Sequence, residues 1–342
     1  MKTYIEELNK KLFQLTDKAN PVLAQEVMEI SIYFYYLSEI KKNDNYKIIA
    51  EQLLDNALGK LSLDTPLSIE NGLAGTALGI INLIKAGFVE GDVNVLLEDI
   101  DNVIFKSIVL SEPNFSYSEA ELLLQLYYLH VRLTQQRNED NRYIYRELII
   151  KVVNLFVVGL KDDFFNESFS FSVYQYHLPL FTFICACLLK QNIYNNRIYK
   201  ILEELEPKIF SQLPVLHANR LYLLCGILPL VAHMKNHKWK HFADLLKKEI
   251  NLQTILDKEM KNKHIFVSNG LSMIYLLLYY LENKYPEYKI SYIPQIFYDK
   301  ISTSEAWESL VKRDYFFKIH RGLLNGFPGV QLVLLHIQKN KK

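Results

Sequence analysis

The chain has 342 residues with 39 basic and 38 acidic side chains, a formal charge of +1, so no global field draws it to nucleic-acid phosphates or anionic lipid. Half of its residues are hydrophobic and 23% are charged, which excludes an unfolded chain and supplies a large core. The three cysteines, Cys185, Cys187 and Cys225, sit in apolar text, which excludes a disulfide framework and points to a reducing compartment.

From the N-terminus, charge runs throughout "MKTYIEELNKKLFQL", which predicts a soluble, cytoplasmic chain without a leader or membrane span. Seven segments apolar nearly all round then follow, at 22–40, 71–86, 117–133, 177–190, 219–234, 269–282 and 325–338. A helix apolar on every side is expected to be buried on every side. Between them lie amphipathic, charge-bearing segments at 93–109, 142–160, 195–211, 242–259 and 296–312, which expose one face. Only "FSFSVYQY" (169–176) alternates with period two, as a strand or a short connector.

Pro21, Pro66, Pro113 and Pro214 each fall just upstream of an apolar segment, where proline ends one element without disturbing the next. The two helix types alternate at intervals of roughly 40–60 residues, which marks helical-hairpin repeats. Seven repeats predict an all-α fold, one domain over 1–342, built as an α/α toroid of seven inner and seven outer helices. All inner helices of such a ring run parallel, so their N-termini gather at one mouth.

The repeat starts align on an asparagine: "ENGLAGTAL" (70–78), "ANRLYLLCG" (218–226), "SNGLSMIYL" (268–276) and "LNGFPGVQL" (324–332). Asn71, Asn219, Asn269 and Asn325 are expected as helix N-caps, with the neighbouring glycine giving a tight turn. Gly75, Gly79 and Gly329 lie beyond the cap, and their missing Cβ atoms suit close backbone approach towards a ring axis or room for a ligand.

These helices opening with "GLAG" and "GFPG", together with "LIKAGFVEGD" (83–92), resemble the lanthionine synthetase C-like (LanC-like) proteins. The resemblance implies an α/α toroid whose active members hold one zinc at the mouth. The metal activates a substrate cysteine, which adds to a dehydrated Ser or Thr residue and closes a thioether ring. It implies a cysteine ligand before the fifth inner helix and a Cys-His pair before the sixth. Those positions here are Ala218 and the pair Ser268 and Asn269, none of which replaces thiolate or imidazole, so zinc is expected to be absent, with no other cofactor in its place.

His177, His217, His264 and His320 each lie within about five residues upstream of an inner helix, hence near the predicted mouth. Together with Arg321 and the residues Asn71, Asn219, Ser268, Asn269 and Asn325 they form the expected ligand-binding rim. His217 and His264 are the candidates for catalysis. His233, His237 and His241, spaced i, i+4 and i+8, would share one helix face but read as a solvated basic turn. Asp162, Asp163 and Asn166 in "KDDFFNESF" read as a capped loop after an outer helix. Phosphate-binding and hydrolase signatures are absent.

The expected function is therefore that of a zinc-free LanC-like protein in ribosomal-peptide maturation, which binds a precursor peptide or a peptide-modifying enzyme at the mouth. No nucleic-acid or membrane partner is expected. Two alternatives are a metal-free cyclase or transferase working through the mouth histidines, and a non-catalytic scaffold using its outer helices.

Overall fold

The computed structural model describes residues 2–16, 23–61, 66–69, 72–110, 117–261 and 264–340. Its helices run α1 (Lys2–Leu15), α2 (Ala24–Lys41), α3 (Asp44–Gly59), α4 (Leu73–Lys85), α5 (Val93–Leu96), α6 (Glu98–Leu110), α7 (Glu119–Leu133), α8 (Glu139–Gly159) and α9 (Leu178–Lys190). They continue with α10 (Asn195–Ser211), α11 (His217–Val231), α12 (Lys238–Lys248), α13 (Leu252–Thr254), α14 (Leu271–Lys284), α15 (Pro294–Ser302), α16 (Glu305–Lys312), α17 (Asp314–Ile319) and α18 (Phe327–Lys339). No strand occurs among the described residues. No helix there is long and apolar enough to cross a membrane.

All seven apolar segments are helices, as α2, α4, α7, α9, α11, α14 and α18. The amphipathic segments are more broken than their periodicity predicts, because polar side chains inside them restart the helix. The Ser304 hydroxyl accepts the Trp307 N–H at 3.1 Å and separates α15 from α16. Asn251 does the same for Thr254 at 2.9 Å and opens α13, which runs on into a π-helical turn at Ile255–Glu259. "FSFSVYQY" is a turn and not a strand, with the Ser172 hydroxyl accepting the Tyr174 N–H at 3.3 Å. His233, His237 and His241 do not share a helix face: α11 ends at Val231, and His237 caps α12. Pro66 and Pro214 lie just before α4 and α11 as expected; Pro21 and Pro113 lie outside the described residues.

Two compact units can be distinguished. The first comprises Met1–Ile100, Asn262–Met273 and Ile293–Lys342, and the second Asp101–Lys261 and Ile274–Tyr292. In the first unit α2 packs against α3, against α4 and against the C-terminal α18. Phe327, fully buried at the first position of α18, sets the last contact: Tyr33 of α2 lies edge-on to it at 6.0 Å and Trp307 stacks on it at 5.9 Å. In the second unit α9 lies between α7 and α11, and α7, α9 and α11 each carry an amphipathic partner, α8, α10 and α12. This is the hairpin repeat that the sequence alternation predicts.

A recurrent clasp starts three of the apolar helices. Leu73 donates its N–H to the carbonyl of Pro66 at 2.8 Å, Leu271 to that of His264 at 3.0 Å, and Phe327 to that of His320 at 2.9 Å. In each case the loop returns over the helix start and satisfies a donor that has no partner within the helix. The residue before each donor is glycine, and a Cβ on Gly72, Gly270 or Gly326 would collide with that same carbonyl. Three residues further on, Gly75 and Gly329 leave space for the carbonyls of Ile69 and Leu323, while Gly79 admits Met28 and Ile32 of α2. The expected clearance for a ligand or an axis is thus filled by the chain itself.

The same glycine-opened starts correct the asparagine caps. The N-cap of α18 is Gly326 and that of α11 is Leu216, neither with a side-chain cap; Asn325 precedes its cap and Asn219 lies inside the first turn. Asn71 lies outside the described residues.

A buried ion pair braces the second unit. Asp101, at the α6 end of the unit, accepts Arg132 Nη2 at 2.5 Å, Tyr128 Oη at 2.7 Å and Tyr145 Oη at 2.8 Å, joining α6, α7 and α8. Arg132 is only 1% exposed. Burial, followed by the Asp101 charge, pushes both tyrosine hydroxyls up, so they stay protonated and donate.

Three substitutions test these features by their effect on stability. Asp101→Asn leaves a buried guanidinium without its counter-charge and is expected to cost about 3–5 kcal/mol in urea unfolding followed by circular dichroism. Gly329→Ala forces a methyl group against the Leu323 carbonyl and is expected to cost about 1–3 kcal/mol. Gly159→Ala, facing open space at the end of α8, is expected to be neutral or to gain about 0.4–1 kcal/mol.

Candidate functional site

Within the first unit the clasp loops before α14 and α18 meet. Ser268 donates its backbone N–H to the Leu324 carbonyl at 2.9 Å, and its hydroxyl donates to Asn325 Oδ1. The predicted rim residues Ser268 and Asn325 therefore touch, and each satisfies the other. Asn269 keeps its Oδ1 buried and without a hydrogen-bond partner among the described residues.

His320 opens the α18 loop and has the most defined environment of the predicted histidines. Its ring stacks on Phe266 with centroids 4.6 Å apart and leans on Phe316 at 4.3 Å. Nδ1 lies 2.8 Å from the Asn325 carbonyl oxygen. A carbonyl only accepts, so Nδ1 carries a proton and Nε2 is the ring nitrogen left for other work. The three rings line a cleft of about 520 Å³ that α16 also lines, with Glu305 and Glu308 towards the start of that helix and Arg313 just past its end. Glu308 is matched by Lys312 at 2.6 Å. Among the described residues, neither Glu305 nor Arg313 has an ion-pair partner.

Arg321, one residue on, does not face this cleft as a free cation. Its guanidinium holds Glu26 Oε2 at 2.8 Å, and the Leu323 N–H donates to Glu29 Oε2 at 2.6 Å, so the first turns of α2 grip the loop before α18. Gln25 donates to Glu29 Oε1 at 2.9 Å. Burial raises the Glu29 carboxyl above its ordinary value of 4.5, against the lowering effect of the Leu323 and Gln25 donors.

The second unit holds His177, His217, Ala218 and Asn219. The start of α11 is closed by two carboxylates. Glu259, at the end of the π-helical turn, takes the His217 N–H at 2.8 Å and the Ala218 N–H at 2.9 Å. Glu167 accepts the N–H groups of Val215 and Leu216 and the Asn219 amide, the last at 2.8 Å. Negative charge at a helix start is favourable, which is why both carboxylates settle there. The His217 ring turns to its own chain, Nδ1 lying 2.8 Å from the Glu249 carbonyl, to which Arg220 also donates at 2.7 Å. His177 is the residue before α9, and burial lowers its pKa against the opposing charge of Glu119.

The structure thus divides the predicted rim between two units, with His264, Ser268, Asn269, His320, Arg321 and Asn325 in one and His177, His217 and Asn219 in the other. The sequence reading missed the carboxylates that organise the helix starts: Glu29, Glu167 and Glu259. For Glu26 and Glu29 a signal existed, two carboxylates three residues apart near the start of a largely apolar helix. Phe266 and Phe316 carry no signal beyond hydrophobicity. No group of three or more His, Cys, Asp or Glu side chains is placed to hold a metal ion among the described residues. Compared with known proteins, the chain matches no family model and no curated sequence.

Glu29 gives a pH prediction. Its folded pKa is raised, so its contribution to stability is full below the ordinary value of 4.5 and is lost as pH rises through the folded value. Glu29→Gln keeps an acceptor for Leu323 and removes the charge. It is expected to be more stable than the native chain at pH 7, with the difference vanishing below pH 4.5, read from thermal midpoints across pH.

Proposed function

We propose that the chain is a LanC-like α/α toroid, closed by the packing of α18 on α2, that binds a peptide at the loop-lined starts of its apolar helices without zinc-dependent thioether formation. One observation carries this reading. The three positions where the resemblance implies metal ligands hold Ala218, Ser268 and Asn269, and the first two are engaged by the chain itself, through Glu259 and Asn325. A methyl group and a hydroxyl tied to a neighbouring amide offer no soft donor for zinc.

The neighbours that each helix takes within its own unit support the toroid reading. In the first unit the last apolar helix lies on the first, and in the second unit three successive apolar helices lie side by side. A ring accommodates both sets of contacts. Its occupant is a precursor peptide or a peptide-modifying enzyme that presents one. The binding surface is the cleft around His320, which offers aromatic faces, a fixed imidazole and opposed charges, the mixture that extended peptides use. A cytoplasmic site of action fits the free cysteines, of which Cys185 and Cys225 are buried, with burial pushing both thiols up and keeping them unreactive.

Three measurements test this. After equilibration with zinc and desalting, metal analysis is expected to find far less than one zinc per chain, and a dehydroalanine peptide bearing a cysteine is expected to close its thioether no faster with the protein than without. A pool of Ser-, Thr- and Cys-containing peptides is expected to bind saturably in the presence of chelator. One tightly held zinc per chain, or no binding by the pool, overturns the reading.

A further inference from the structure

The cleft on the first unit is more selective than a general apolar groove. Its floor is formed by Phe266, Phe316 and the His320 ring, held as a stack by the Nδ1 bond to Asn325. Along its wall the charges are ordered by α16. Glu305 occupies the first position of that helix and Arg313 follows its last residue, and neither is compensated by an ion pair among the described residues. They stand eight positions apart, about 12 Å of helical rise. An extended peptide covers that distance in about four residues at 3.3 Å each.

We propose that this cleft is a peptide subsite for a short extended segment with a basic side chain over Glu305, an aromatic side chain on the Phe266–His320–Phe316 floor and a carboxylate at Arg313. The inference rests on the reading of the protein as a peptide binder and states which peptides it selects. Charge complementarity fixes the occupant. A segment of one sign leaves either Glu305 or Arg313 facing like charge, whereas the mixed segment satisfies both ends. The aromatic residue supplies the apolar contact, and His320 Nε2 is the acceptor for a backbone N–H of the segment.

Fluorescence anisotropy with labelled, end-capped pentapeptides tests it on the full chain. The probes are Lys-Gly-Phe-Gly-Asp, its two same-sign relatives with Lys or Asp at both ends, and the version with Ala for Phe. The mixed peptide is expected to bind about tenfold tighter than either same-sign peptide, and the Ala version to lose at least about tenfold. Arg313→Glu is expected to transfer preference to the Lys/Lys peptide, and Glu305→Lys to the Asp/Asp peptide. Both substitutions lie on the surface, and circular dichroism should match the native chain. Equal binding of mixed and same-sign peptides, or a preference unmoved by Arg313→Glu, overturns the subsite. If the peptide pool binds and these probes do not discriminate, the subsite fails and peptide binding stands. If the pool itself does not bind, the functional reading fails with it.

Discussion

The structure depends on how its apolar helices begin. A buried helix start has N–H groups that water cannot reach, and each one left without a partner costs about 1–3 kcal/mol. This protein solves the problem by returning the preceding loop over the helix, so that the carbonyls of Pro66, His264 and His320 take the N–H groups of Leu73, Leu271 and Phe327. The clasp requires close backbone approach, and Gly72, Gly270 and Gly326 provide it. Where the clasp is absent, at α11, carboxylates do the same work: Glu167 and Glu259 close the donors from Val215 to Ala218.

This constraint also shapes what the helix starts can do chemically. At α11 the N–H groups that could hold an anion are already given to glutamate, and at α14 the Ser268 hydroxyl is given to Asn325. The loop before α18 is gripped twice, by Glu26 through Arg321 and by Glu29 through Leu323, and the grip holds α2 and α18 together. What remains free is the outer rim of that loop. There His320 is fixed at Nδ1 and braced between two phenylalanines, beside a short helix whose end charges, Glu305 and Arg313, have no ion-pair partner among the described residues. A firmly held loop with one exposed, preorganised edge suits recognition better than it suits metal chemistry.

Much of the fold was legible in the sequence because burial on all sides writes itself as an unbroken apolar run. All seven such runs became helices, and the alternation with charged helices reappears as hairpin packing within the second unit. The glycines were visible, but their purpose was not, since the carbonyl of a residue six positions back along the chain leaves no mark on composition. Asn219, Asn269 and Asn325 look like caps for the same reason: a cap and a residue beside a cap read alike without the fold. The Asp101–Arg132 pair was illegible, because Arg132 stands in the last turn of α7, where arginine normally faces water and the helix dipole. His320 stood among four equivalent-looking histidines. Only the stacking of Phe266, far away in sequence, together with Phe316 singles it out.

The central claim is that a peptide binds on the edge of the α18 clasp and that zinc plays no part. Hydrogen–deuterium exchange of the full chain, with and without the Ser-, Thr- and Cys-containing peptide pool in chelator, tests it most directly. The account predicts protection concentrated in 264–272 and 305–327, unchanged when zinc replaces chelator. Protection confined to the start of α11, or protection that appears only with zinc, would contradict it.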